Sequence, residues 1–217
     1  MKTIFKKTFL VVTLGLTIIG CKNNEDISTD GIISGIIADY MAGSVDSILC
    51  FSPKEDNAIG MCSVASNGEF SIILAATPQG SQLSSEYGGS VVVSDPTATG
   101  ANVSMYAYKN KTLIGYITKC NYTLDKTTVN VGDAVTLLLY VNKTCKITGT
   151  QHDTSSYTIV YDLNLVKGWN EVVSKVTAYS STSTTMTLST TIPSGLKWQL
   201  ISIASQVKQF KIPGIKF

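Results

Sequence analysis

The run Ala134-Val135-Thr136-Leu137-Leu138-Leu139-Tyr140-Val141 constrains this chain most. It follows Val131-Gly132-Asp133 and is turned by Asn142-Lys143. A short apolar run between turn signals is a strand, and this one is the most apolar in the body and its expected centre. The stretches around it are built alike. Gly31 to Tyr40 is β-branched and punctuated by glycine, Ser47 to Phe51 is stopped by Ser52-Pro53, and Ile59 to Val64 leads through Asn67-Gly68 into Glu69 to Leu74. An Asn-Gly pair between such runs is a hairpin turn. Val91 to Val93 is a short strand stopped by Asp95-Pro96.

Thr97 to Asn102 reads as a linker, followed by a hairpin of Val103 to Tyr108 and Leu113 to Thr118. Strands are expected at 145–149, 157–165, 171–176 and 198–203, with a polar loop at Thr150 to Thr154 and a turn at Lys167 to Asn170. The Ser/Thr-rich tract from Ala178 to Thr191 reads as strand, loop, strand, because Met186, Leu188 and Thr190 alternate with polar neighbours. The tail Phe210 to Phe217 is amphipathic, and reads as a closing edge strand or a partner-binding segment. The expected fold class is all-β, an antiparallel β-sandwich of one body or two small β subdomains.

The first residues have a different grammar. Lys2, Lys6 and Lys7 precede an apolar run that ends at a small residue, Gly20, before Cys21. That is the layout of a secretory signal peptide; the run is about 13 residues, short of the roughly 20 that span a bilayer. Ile18-Ile19-Gly20-Cys21 resembles the lipobox of bacterial lipoproteins. The resemblance implies cleavage before Cys21, lipidation of its thiol and attachment to a membrane. Stable anchoring needs more than one acyl chain, a condition that the acylated cysteine of such lipoproteins meets. Lys22 to Asp30 lacks an apolar period and reads as a tether. Its acids resemble the surface-export signals of Bacteroidetes-like lipoproteins. The organisation is thus 1–20 signal peptide, 21–30 lipidated cysteine and tether, 31–96 N-terminal β section, and 97–217 C-terminal β section. The implied location is the outer membrane, facing the periplasm or the surface.

Gly31-Ile32-Ile33-Ser34-Gly35 and Ser66-Asn67-Gly68-Glu69-Phe70-Ser71 look like the glycine-bounded first strand and N-G-x-F turn of transthyretin-like, carboxypeptidase-regulatory-like domains. Over residues 31–74 this implies a small exported β-sandwich with a structural or binding role and no active site.

Charge excludes one class of partner. Without Lys2, Lys6 and Lys7 the 17 basic residues become 14, against 15 acids, a net charge of −1. Nucleic acid needs clustered positive charge. The chain also has no arginine, and so lacks the bidentate fork that grips phosphate.

Four cysteines besides Cys21 lie in a chain bound for a compartment that permits disulfides. Strand order favours Cys50 with Cys62 and Cys120 with Cys145; the alternative is reduced, buried thiols. No catalytic residues, metal or cofactor are expected, and the chain reads as no enzyme. The single histidine, His152, lies in the polar loop without a nucleophile elbow, and Asp39, Asp46, Asp95 and Asp162 lie near strand ends, where any β protein places acids. Asp133 and Asp153 lack calcium-loop spacing.

Four aromatics are candidates for stacking on a ligand: Tyr106 and Tyr108, on one face of a strand, and Trp169 and Trp198; the other reading of the tyrosines is a core roof with the hydroxyls in water. Asp46-Ser47-Ile48 resembles the O-glycosylation sequon of Bacteroidetes-like bacteria, which implies glycosylation at Ser47. The expected function is a membrane-anchored envelope lipoprotein with a non-catalytic binding or scaffolding sandwich. The partners are the membrane, through the lipid, and an envelope protein or glycan. The alternatives are a glycan-binding accessory protein of a nutrient-uptake system and a fimbrial subunit.

Overall fold

The computed structural model describes residues 30–87, 90–122, 128–154 and 156–203. The signal peptide, Cys21, most of the tether and the tail 204–217 lie outside the described residues. The chain is all-β, as expected. Its strands are β1 (Ile32–Ile36), β2 (Ser47–Phe51), β3 (Gly60–Ser63), β4 (Glu69–Ile73), β5 (Ser81–Gln82), β6 (Val92–Val93), β7 (Thr99–Lys109), β8 (Thr112–Cys120), β9 (Ala134–Val141), β10 (Cys145–Thr154), β11 (Tyr157–Leu165), β12 (Gly168–Tyr179), β13 (Thr184–Ser189) and β14 (Lys197–Ser202). A single-turn helix, α1 (Leu83–Glu86), interrupts them.

The strands surround two hydrophobic cores. In the first, β3, β2, the C-terminal half of β7, β8 and β14 form one sheet, and the antiparallel β1–β4 ribbon lies across it. Ile33, Ile37, Phe70, Ile72 and Leu74 from the ribbon side meet Ile48, Cys50, Met105, Ala107 and Ile117 from the sheet. The ribbon is stitched to both edges of that sheet. Ala75 N donates to Ile59 O (2.7 Å) beside β3, and Ala38 N donates to Trp198 O (2.8 Å) at a parallel bridge between Ile37 and Trp198.

The second core belongs to a sheet ordered β6-β10-β11-β13-β12-β9 and continued by the N-terminal half of β7. It packs Leu139, Val141, Ile147, Ile159, Leu163, Leu165, Val172 and Met186, with Leu83 of α1 and Ala98. β13 lies between β11 and β12, antiparallel to β12 and parallel to β11.

β9 is the strand both cores share. Leu138 and Tyr140 point into the first, Leu137, Leu139 and Val141 into the second. Period-two alternation puts neighbours on opposite faces, so a strand covered on both faces is apolar at nearly every position, here at all but Thr136. That is why this run stands out in the sequence. β7 links the two sheets: its first residues pair with β9 and its last with β2 and β8.

Three expectations are corrected here. The linker over 97–102 is largely strand, because Gly100 to Val103 pair with Val141 to Leu138. The loop around His152 is strand as well, since β10 runs through Thr154 against β11. Cys50, Cys62, Cys120 and Cys145 are free thiols. Cys120 is opposite Val135 at one end of β9, and Cys145 follows its other end, beside Leu165. The six residues from Val135 to Val141 separate them by roughly 20 Å of strand. Cys50 and Cys62 share the inward face as diagonal neighbours, since Ile48 opposes Cys62 and Gly60 opposes Cys50. Diagonal pairs sit about 7–8 Å apart, wider than the separation a disulfide bridges without strain.

Candidate binding face

The inward residues of the first sheet fix what its other face presents. With Ile48, Met105, Ala107 and Ile117 buried, Leu49, Tyr106 and Tyr116 point outward. The register aligns them. Met61 is opposite Leu49, Leu49 opposite Tyr106, Tyr106 opposite Tyr116, and Tyr116 opposite Ile201. One apolar row therefore crosses all five strands. Met61 is 70% exposed and the other four are half-buried. Phe51 joins it, its ring edge-on to Tyr106 at 5.7 Å, and Tyr106 and Tyr116 are tilted together at 4.9 Å.

The flanks of this row are neutral and polar. Phe51 pairs with Ser104, and Thr118 with Gln199, on one side; Ser63, Ser47 and Tyr108 follow one another on the other. Gln199 Nε2 donates to Tyr122 O at 3.0 Å and is held in place by it. Burial, and then the neighbouring Tyr116, push the Tyr106 phenol up from its usual range, so it stays a neutral hydroxyl. Charge appears only at the margin, where Asp46 accepts from Lys109 Nζ (2.7 Å) and Asn110 N (2.6 Å). These two bonds, the backbone one first, hold the Asp46 carboxyl below its usual range.

The four aromatic candidates separate. Tyr106 and Tyr108 are on this face, half-buried. Trp169 and Trp198 are not: they are 2% and 4% exposed and belong to the first core. The glycines that bound β1 make room for them. A Cβ on Gly31 would stand 2.7 Å from Trp169 Cδ1, and one on Gly35 would overlap Trp198 Cδ1 and Nε1. Trp169 Nε1 donates to Ala75 O at 3.0 Å, while Trp198 packs edge-on against Phe70. Sequence reading missed Phe51, Leu49, Met61 and Ile201, because the row exists only through the pairing of five strands. The one local signal was the apolar alternation of Leu49 and Phe51.

The remaining candidates are dispersed. Ser47 lies within β2, paired with Ser63 and Tyr108, next to the engaged Asp46. His152 Nδ1 is 3.1 Å from Thr158 Oγ1 on the exposed outer part of β10 and β11. Asp95 binds Thr97 and lies 3.5 Å from Lys143 Nζ; Asp162 is exposed on β11; Asp133 accepts from Asn130 N at 2.7 Å. The side chain of Asp153 lies outside the described residues. No three His, Cys, Asp or Glu side chains among the described residues are placed to hold a metal ion. Asp39 lines an open depression of about 260 Å³ with Ile37, Tyr40, Met41, Ser44 and Gln199. Lys119 of β8 and Glu171 of β12 form a buried ion pair at 3.4 Å. Comparisons with protein-family models, with curated proteins and with solved structures found no match to this chain.

Proposed function

We propose that the chain is a lipoprotein of the cell envelope, anchored through Cys21, which binds a partner on the outward face of β2, β3, β7, β8 and β14 and carries out no chemistry. The apolar row from Met61 to Ile201 carries this reading. A sheet face that meets only water usually alternates to polar residues; this one keeps two tyrosines, a phenylalanine and three aliphatic side chains in register. Its chemistry suits a carbohydrate chain better than a charged surface. Ring faces and edges offer apolar contact to sugar C–H groups, and Ser104, Thr118, Tyr108 and the Tyr106 hydroxyl offer neutral hydrogen bonds.

The test pairs binding with location. Tyr106→Ala with Tyr116→Ala should abolish retention on an immobilised envelope-polysaccharide panel and leave the unfolding midpoint within a few degrees. Retained binding would remove the face from the function. Protease shaving of intact cells, with Cys21→Ala as control, reports the side of the membrane. A body protected until the envelope is opened would direct the search to periplasmic glycans.

A further inference from the structure

The apolar row ends on β14 at Ile201, and the open depression begins beside it. Gln199 and Leu200 of β14 form one wall, and residues 37–44, which follow β1, form the other. The wall on β14 is a strand edge. Trp198 O accepts from Ala38 N at 2.8 Å, so it faces away from β8. Backbone groups alternate sides along an antiparallel strand, so Leu200, two residues on, turns its N–H and C=O the same way. The neighbouring chain has left by then, because Asp39 takes a φ of +51° directly after Ala38. Leu200 N–H and C=O thus have no partner among the described residues.

The rest of the lining is rich in acceptors. The Asp39 carboxyl lines the depression, and no hydrogen bond or ion pair among the described residues engages it. Gln199 gives an amide N–H to Tyr122 O and keeps Oε1 as an acceptor; Tyr40 gives its hydroxyl proton to Val45 O and keeps its oxygen. Ile37 and Met41 add apolar surface. This set decides between ligand groups. An anion would meet Asp39 without a base to offset it. An ammonium would suit Asp39 but leave Leu200 N–H unmatched and set a charge against Ile37 and Met41. A peptide strand would find one free residue between the bonded Trp198 and the end of β14 at Ser202. A secondary amide with a methyl cap suits every part. Its C=O accepts from Leu200 N–H, its N–H donates to Asp39, and its methyl lies on Ile37 and Met41. Ring hydroxyls then find Leu200 C=O and Gln199 Oε1. The volume of about 260 Å³ is below that of a pocket for a whole ligand, roughly 300–1,000 Å³, and suits one substituted sugar of a longer chain.

We propose that this depression holds the acetamido group of an N-acetylated sugar, whose chain continues over Ile201 and Tyr116; the assignment rests on the glycan reading of the row and names the class of glycan.

The experiment is titration calorimetry on the lipoprotein held in nanodiscs, with a chito-oligosaccharide, a cello-oligosaccharide of equal length and the de-N-acetylated chito-oligosaccharide as probes. The acetylated probe should bind about tenfold tighter than the cello probe, through one added hydrogen bond and one buried methyl. The de-N-acetylated probe should bind no tighter than the cello probe. Met41 is 75% exposed, so Met41→Glu is tolerated; it sets a charge against the methyl and should bring the first two affinities together. Ser44→Tyr, which fills the same depression, should do likewise. Asp39→Asn keeps an acceptor and tolerates the positive φ, so the preference should survive it. Tyr106→Ala with Tyr116→Ala should weaken binding of every probe. Equal binding of the acetylated and cello probes, lost in the tyrosine variant, would overturn the acetamido site and leave the glycan face standing. Absence of binding by all three would overturn both. Tightest binding of the de-N-acetylated probe would make this an ammonium site instead, and a preference that survives both Met41→Glu and Ser44→Tyr would also overturn the assignment.

Discussion

Gly31 and Gly35 do the same task at the two ends of one strand. Each removes the Cβ that would stand against an indole, and so lets β1 lie flat on Trp169 and Trp198. Gly31 has a second reason to be glycine, a φ of +80°. Gly35 is required for space alone. Gly35→Ala should therefore destabilise by about 1–3 kcal/mol through overpacking, and Trp198→Phe in the same chain should recover part of the loss. The thermal midpoints of the two single variants and the double variant give the answer. An alanine at 35 that leaves the midpoint unchanged would mean that the indole is not held there. Gly43 is the contrast: its φ is positive, but nothing lies within 4 Å, so alanine there meets backbone strain without a clash.

The β2–β3 pair shows what burial does to a thiol. Cys50 is fully inside the first core; burial, and then the nearby Cys62, push its thiol from about 9.0 to about 12. The folded chain therefore keeps this proton at pH values where the unfolded chain has released it. Its stabilising effect is complete below pH 9 and is lost as pH rises toward 12. Unfolding midpoints should thus fall between those values, and Cys50→Ala should flatten that part of the profile. Native labelling at neutral pH should spare Cys50, and denaturation should release four thiols rather than two disulfides.

The elements themselves were legible to different degrees. β9 was readable as the centre because burial on two faces leaves an apolar run broken only by Thr136. Asn67-Gly68 marked a tight turn, with Gly68 at a φ of +86°, but not a hairpin, because β3 pairs with β2 and β4 with β1. Thr99 to Asn102 was not readable. Thr, Gly and Asn are turn residues by local preference, and only pairing with β9 makes them strand. His152 is strand for the same reason, through β11. The tryptophans were misplaced at the surface because the glycines that receive them are far away in sequence.

At the scale of the whole molecule, the two cores are not two independent bodies. β9 lends one face to each, and Trp169 enters the first core from β12, whose Val172 and Val176 belong to the second. The buried Lys119–Glu171 pair also joins β8 of the first sheet to β12 of the second. Neither core can be exposed without stripping a strand that the other needs, so unfolding should be one cooperative step. Leu139 makes the case testable, since it packs only in the second core, while both tryptophans report from the first. Leu139→Ala should cost about 2–5 kcal/mol, the range for a buried leucine whose cavity does not collapse. Tryptophan fluorescence and far-ultraviolet dichroism should then shift together to a lower denaturant midpoint. A fluorescence transition that stays at its original midpoint, while dichroism moves, would show that the second sheet melts alone. The shared strands would then be a hinge between two bodies rather than the beam that unites them.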